Sequence, residues 1–155
     1  MKTITAITAL SVATLGLATQ ADAFKLSPPS TKFTASGPTK LTANGTTVMC
    51  TSTFTGKTTA RGTGKITGFT ASGADPVCGL ITATLPWGAK ATSATNIKFT
   101  NVAVSIPAAG ISCGPGTVNA TDNGAGQVTF AAVLNPGNCQ VNGTVQSTPP
   151  ITIVP

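Results

Sequence analysis

The sequence predicts an all-β fold of short antiparallel strands on two packed sheets, and three observations carry that expectation. Apolar residues alternate with threonine at a period of two in several segments. Turn-forming residues interrupt these segments at intervals of about ten residues, the rhythm of a sandwich. Four cysteines sit in a chain whose first residues have the make-up of an export signal, so two disulfides are expected. The expected architecture is an Ig-like antiparallel β-sandwich with two disulfides, following a cleaved signal peptide.

The elements follow in chain order. Met1-Lys2 precedes a mostly apolar run from Ile4 to Ala18, and Ala21-Asp22-Ala23 supplies a small-x-small cleavage site. That run is shorter than the ~20 apolar residues a membrane span requires. Residues 1–23 therefore read as a signal peptide, and residues 24–155 as a single β-sandwich domain that is not transmembrane after cleavage.

From Thr47 to Thr55, Val48, Cys50, Ser52 and Phe54 share one face, and Met49 and the threonines share the other. Ile81, Ala83 and Leu85 alternate with Thr82 and Thr84 in a second strand-like run. Val128, Phe130, Ala132 and Leu134 form a third inward row, and Cys139, Val141, Gly143 and Val145 a fourth, with Thr129 and Thr144 facing outward. Ile97 and Phe99 lie on the opposite parity from Val102, Val104 and Ile106, a phase break that a β-bulge near Asn101 repairs. Turns are expected at Asn44-Gly45, Ser72 to Pro76, Gly114-Pro115-Gly116, Asp122-Asn123-Gly124 and Asn135 to Asn138. No helical period follows the signal segment, and abundant β-branched threonine disfavours helix further.

The cysteines are Cys50, Cys78, Cys113 and Cys139. A structural zinc site usually brings its ligands in close pairs such as C-x-x-C, and this chain has none. A faint internal echo suggests how bridges form. Cys50 and Cys78 bracket a strand, a glycine-rich turn, a second strand and a proline turn, and Cys113 and Cys139 bracket the same order. Pairing within each half follows if each bridge closes one such unit, with the two other connectivities open.

Charge is sparse, and all cations after Lys2 lie before Phe99. A positive excess favours anionic partners such as polysaccharide, extracellular DNA or lipid head groups. The cations are scattered singly along the sequence, which favours the plainer reading of solvated strand positions that discourage edge pairing.

The chain has no histidine, glutamate or tyrosine, so the usual acids and bases beyond residue 23 reduce to Asp75 and Asp122. Both lie in turn contexts, where a short side chain bonding its own backbone is the plain explanation. No nucleotide fingerprint opens a helix, no carboxylates cluster for calcium, and no S-x-x-K spacing occurs after residue 23. The expectation is a protein that is not an enzyme, with no catalytic, cofactor-binding or metal residues and no cofactor. Trp87, the sole tryptophan, follows Leu85-Pro86. Buried packing is its plain reading, and a ligand contact shared with Leu85 is the functional one.

The segments Cys50 to Gly56, Val77 to Trp87, Ser112 to Asn119 and Pro136 to Gly143 resemble those of the bacterial protein activator of alkane oxidation family, the PraB-type proteins. The most specific pieces are Cys113-Gly114-Pro115-Gly116-Thr117-Val118-Asn119 and Pro136-Gly137-Asn138-Cys139, and the likeness runs over nearly the whole chain beyond the signal segment. The resemblance implies a secreted or cell-surface protein of Gram-negative bacteria, found in the extracellular biofilm matrix and assisting surface adhesion or growth on hydrocarbons. It brings no catalytic residue. The alternative is a soluble extracellular binding module for an apolar small molecule or a glycan, which Trp87 and Leu85 inside a pocket would favour. Expected partners are a second copy of the chain in matrix assembly, anionic polysaccharide or hydrophobic surfaces, with no specific nucleic acid. For self-assembly the candidate strand is the carboxyl end, where Ile151 and Ile153 follow Pro149-Pro150; docking of that end on its own sheet is the plainer reading.

Overall fold

The computed structural model describes residues 24–155, so the expected signal peptide at residues 1–23 lies outside the described residues. Eleven strands run in order: β1 (Lys25–Ser27), β2 (Lys32–Ala43), β3 (Thr46–Thr58), β4 (Thr63–Ser72), β5 (Thr82–Ala83), β6 (Trp87–Ala91), β7 (Asn96–Ile106), β8 (Ile111–Asp122), β9 (Gln127–Leu134), β10 (Cys139–Thr148) and β11 (Thr152–Val154). Short 3-10 turns occupy Pro76–Leu80 and Pro107–Ala109.

The alternation of apolar and hydroxyl residues does build half-buried antiparallel strands, but they do not split into two sheets. Chain neighbours pair from β2 to β4, then through β6, β7, β8, β9 and β10, and β10 pairs back onto β2. Eight strands thus close an up-and-down barrel, which corrects the expected Ig-like sandwich. Both architectures need the same inward and outward alternation. What separates them is the pairing of β2 with β10, a contact between the two ends of the meander.

Local turn chemistry explains much of the path. Asn44 and Gly45 have φ of 50° and 77°, the double positive φ of a tight hairpin, and join β2 to β3. Asn101 has φ of 59° at the register shift between Phe99 and Val102, so β7 carries the bulge that its sequence phase requires. Gly114-Pro115-Gly116 does not turn the chain as expected: it lies inside β8, where Gly114 takes φ of 84° and the register against β7 shifts by one. A side chain on Gly114 would strike the Val102 carbonyl, so glycine permits this second irregularity. The run Ile81 to Leu85 is also shorter than expected. Only Thr82–Ala83 forms a strand, and it shares one edge of β7 with β6 while β8 takes the other.

The barrel has two distinct ends. At one, Cys50 bonds to Cys78 and Cys113 to Cys139, so each bridge closes one half-unit as the internal echo suggested. At the other, β1 and β11 form a two-stranded ribbon, with Leu26 opposite Ile153. Leu26 and Ile151 are buried with Ala89, Ala91 and Ile97 in a core cluster there. The Leu26 amide donates to the Gly62 carbonyl at 2.7 Å, and the Ile151 amide donates to Ser147 Oγ at 2.8 Å. The terminal segment thus docks on its own barrel.

Outside, the strands present threonine, lysine, asparagine and glutamine, joined by cross-strand hydroxyl pairs such as Ser36 with Thr53 at 2.9 Å and Thr129 with Thr144 at 3.0 Å. Such a wall is the reverse of a membrane barrel, whose apolar residues face lipid. Among the described residues, no helix is long and apolar enough to cross a membrane.

Candidate functional site

An eight-stranded barrel is just wide enough for its interior to be filled by side chains or to hold one small ligand. Here the inward rows leave a cavity of about 140 Å³. Its wall carries Phe33 from β2, Phe54 from β3, Phe69 from β4, Trp87 from β6, Phe99 from β7 and Phe130 from β9. Five of the six phenylalanines and the only tryptophan therefore meet in one place. Leu26 and Ile151 line it from the ribbon end, and Leu134 from the disulfide end.

Each aromatic arrives by strand parity, and irregularities adjust the aim. The register shift between β3 and β4 at Thr55 and Gly56 lets Ile66 and then Phe69 both face inward despite their odd spacing. Phe54 and Phe69 lie with ring centroids 5.3 Å apart, and Trp87 sits 5.8 Å from Phe54 and 6.3 Å from Phe69, all tilted. Such tilted contacts are the favoured geometry for aromatic quadrupoles. On the opposite wall Gly143 makes room for a ring: a Cβ there would lie 2.8 Å from the Phe130 ring and 2.8 Å from Thr39 Cγ2.

Polar side chains at the wall are largely spent on internal bonds. Thr39 Oγ1 and Ser52 Oγ bond each other at 2.6 Å, and Ser147 Oγ donates to the Gly126 carbonyl while accepting from Ile151. Trp87 Nε1 donates to the Thr84 carbonyl at 2.8 Å. Lys40 and Asn142 also border the cavity, but aromatic and aliphatic side chains make up most of its wall, so a bound molecule would be held chiefly by dispersion and by removal of apolar surface from water.

Of the residues singled out from sequence, Trp87 lies in the cavity wall, 6% exposed. Leu85 is half-buried and packs against the main core, away from the cavity wall. The four cysteines form the two bridges at the disulfide end. Ile151 is buried in the cavity floor and Ile153 packs beside it in the ribbon, so both are engaged within their own chain. Asp75 fits its turn reading, its Oδ1 accepting from the Val77 amide at 2.9 Å. Asp122 departs from it: the side chain is 5% exposed, and neither carboxylate oxygen has a hydrogen-bond partner. It ends β8 on the inward parity of Val118 and Ala120, so the strand, and not an Asx turn, sets its direction. Sequence reasoning missed Phe33, Phe54, Phe69, Phe99 and Phe130 as a site. The available signal was the inward parity of several phenylalanines, but parity is equally the signature of ordinary core.

Among the described residues, no cluster of three or more potential metal ligands occurs. Fold and cavity together define a class: an antiparallel β-barrel with an apolar, aromatic-walled interior. The chain belongs to the family described as alkane oxidation protein activator PraA/PraB-like, which it matches over residues 1–155. No curated protein and no solved structure gives a significant match.

Proposed function

We propose that this protein binds a small apolar molecule, of the hydrocarbon class, inside its barrel, and that it aids alkane oxidation by binding and not by catalysis. The observation that carries this reading is the cavity of about 140 Å³ walled by five phenylalanines and Trp87. A cavity of about 150 Å³ lined by comparable side chains stays dry and takes up benzene, so the fitting occupant is of that size, or a short alkyl segment of a longer chain. The family description, an activator of alkane oxidation, names the same chemical class.

This reading ranks the binding module above the adhesive matrix protein. At the carboxyl end that was the candidate connector, Ile151 lines the chain's own cavity and Ile153 packs beside it, which favours a self-contained molecule. Export to an oxidising space, as a secreted or surface protein, remains part of the proposal. It is supported by the signal-like first residues and by two disulfides in so small a chain.

The sole tryptophan makes the test direct. Titrating benzene or n-hexane into the protein should change Trp87 fluorescence in a saturable way. Ala35→Leu, which fills the cavity from β2, should abolish the change while leaving the far-ultraviolet circular dichroism intact. A flat titration, or equal binding by the filled variant, would overturn the proposal.

A further inference from the structure

The lysines that are scattered along the sequence are gathered by the barrel. Lys32 on β2 lies directly opposite Lys57 on β3, and Lys57 lies directly opposite Lys65 on β4. Lys65 faces Gly88 on β6, and Lys90, two residues on, lies directly opposite Lys98 on β7. Five exposed lysines thus form one row across five adjacent strands, at the ribbon end of the outer wall. Neighbouring strands are about 4.8 Å apart, so the ammonium groups repel one another at short range. Arg61 in the β3–β4 turn and Lys25 on β1 add to the same end.

No acid balances them. Of the two acids after residue 23, Asp75 is at the disulfide end, and Asp122, although at the ribbon end beside Thr95, is buried with neither oxygen bonded to a lysine. Nor does the row guard an edge. Lysines on strands commonly keep edges from pairing, but these strands belong to a closed barrel, and only Lys32, two residues beyond the last β2–β10 pair at Thr34 and Thr148, has a neighbour on one side alone. The row therefore carries a repulsive cost with no structural return, which is the mark of a surface kept for a partner.

We infer that this row is a binding surface for an acidic polysaccharide. Beside Lys32 and Lys57 a shallow depression is lined by Thr34, Thr55, Thr67 and Thr148, so hydroxyl groups flank the ammonium groups. A sugar polymer with repeated carboxylates meets both: its charges fall on the row, and its hydroxyls bond the threonines. Single-stranded nucleic acid calls for aromatic stacking platforms, whereas the aromatics of β2 to β10 face the cavity. Insertion into a bilayer calls for an apolar face, whereas of the exposed large apolar residues Met49, Leu80 and Val133 lie towards the disulfide end and only Val154, the least exposed, lies at the ribbon. The inference concerns the outer wall and stands independently of the cavity.

The test is binding of the protein to immobilised polygalacturonate, with neutral dextran, a single-stranded oligonucleotide and phosphatidylglycerol vesicles as comparators. Binding to polygalacturonate should weaken as salt rises toward about 0.15 M. The triple variant Lys32→Gln, Lys57→Gln, Lys65→Gln should bind about tenfold more weakly or worse, while Lys40→Gln, off the row, should match the parent. The triple variant should melt at the same temperature as the parent or higher, since it relieves repulsion. Absence of binding by the parent, full binding by the triple variant, equal binding to dextran, or tighter binding to the oligonucleotide or vesicles would each overturn the inference.

Discussion

Phe130 and Thr129 are adjacent in β9 and point to opposite sides of the barrel wall. Phe130 lies over Gly143 and lines the cavity, whereas Thr129 bonds Thr144 on the outer face. Phe130→Ala should lower stability by about 3 to 5 kcal/mol in urea denaturation, and Thr129→Ala by less than about 1 kcal/mol. Equal losses would show the two faces to be misassigned. Asp122 offers the opposite sign. A buried carboxylate without a donor costs about 1 to 3 kcal/mol relative to an apolar group, so Asp122→Val should raise the denaturation midpoint. A fall would mean that the carboxylate has a partner in solution.

At the scale of elements, the two disulfides and the terminal ribbon hold opposite ends of one barrel. The bridges span 28 and 26 residues. Closing loops of that size contributes about 3 kcal/mol each, so Cys113→Ala with Cys139→Ala should lower stability by roughly that amount while the Cys50–Cys78 bridge remains. The ribbon acts through packing instead. Deleting residues 149–155 removes Ile151 from the cavity floor and leaves Leu26 without its β11 partner. The truncated protein should melt earlier and bind an apolar dye such as ANS more strongly. If it matches the full chain in both measurements, the ribbon does not seal the barrel.

For the whole molecule, closure is the decisive property. Every barrel strand borders two others, so no strand leaves its neighbours without breaking two ladders. Unfolding should therefore be a single transition, with Trp87 fluorescence and far-ultraviolet circular dichroism coinciding across a denaturant titration. Separated transitions would indicate that the ribbon or one half-unit unfolds on its own. The charges are placed by the meander itself: lysines 8 or 25 residues apart in sequence become direct neighbours because each antiparallel return brings the chain back to one level of the wall.

Local features were legible in the sequence. Alternation assigned the inward rows of β3, β9 and β10, Asn44-Gly45 marked a hairpin, and the flipped phase around Asn101 located a bulge, because each depends on a few adjacent residues. The paired halves foretold the disulfides for a similar reason, each bridge closing one hairpin-based unit. Strand β2 was illegible because its inward row includes Gly37 and Thr39 and its centre carries Pro38, which break the apolar alternation. Closure of the sheet on itself was not legible in this way, since pairing β2 with β10 depends on twist and stagger accumulated over eight strands and leaves no trace in any single segment. The cavity is a consequence of that closure, and the lysine row of the strand pairings that precede it: parity tells which way a side chain points, and pairing determines what it meets there.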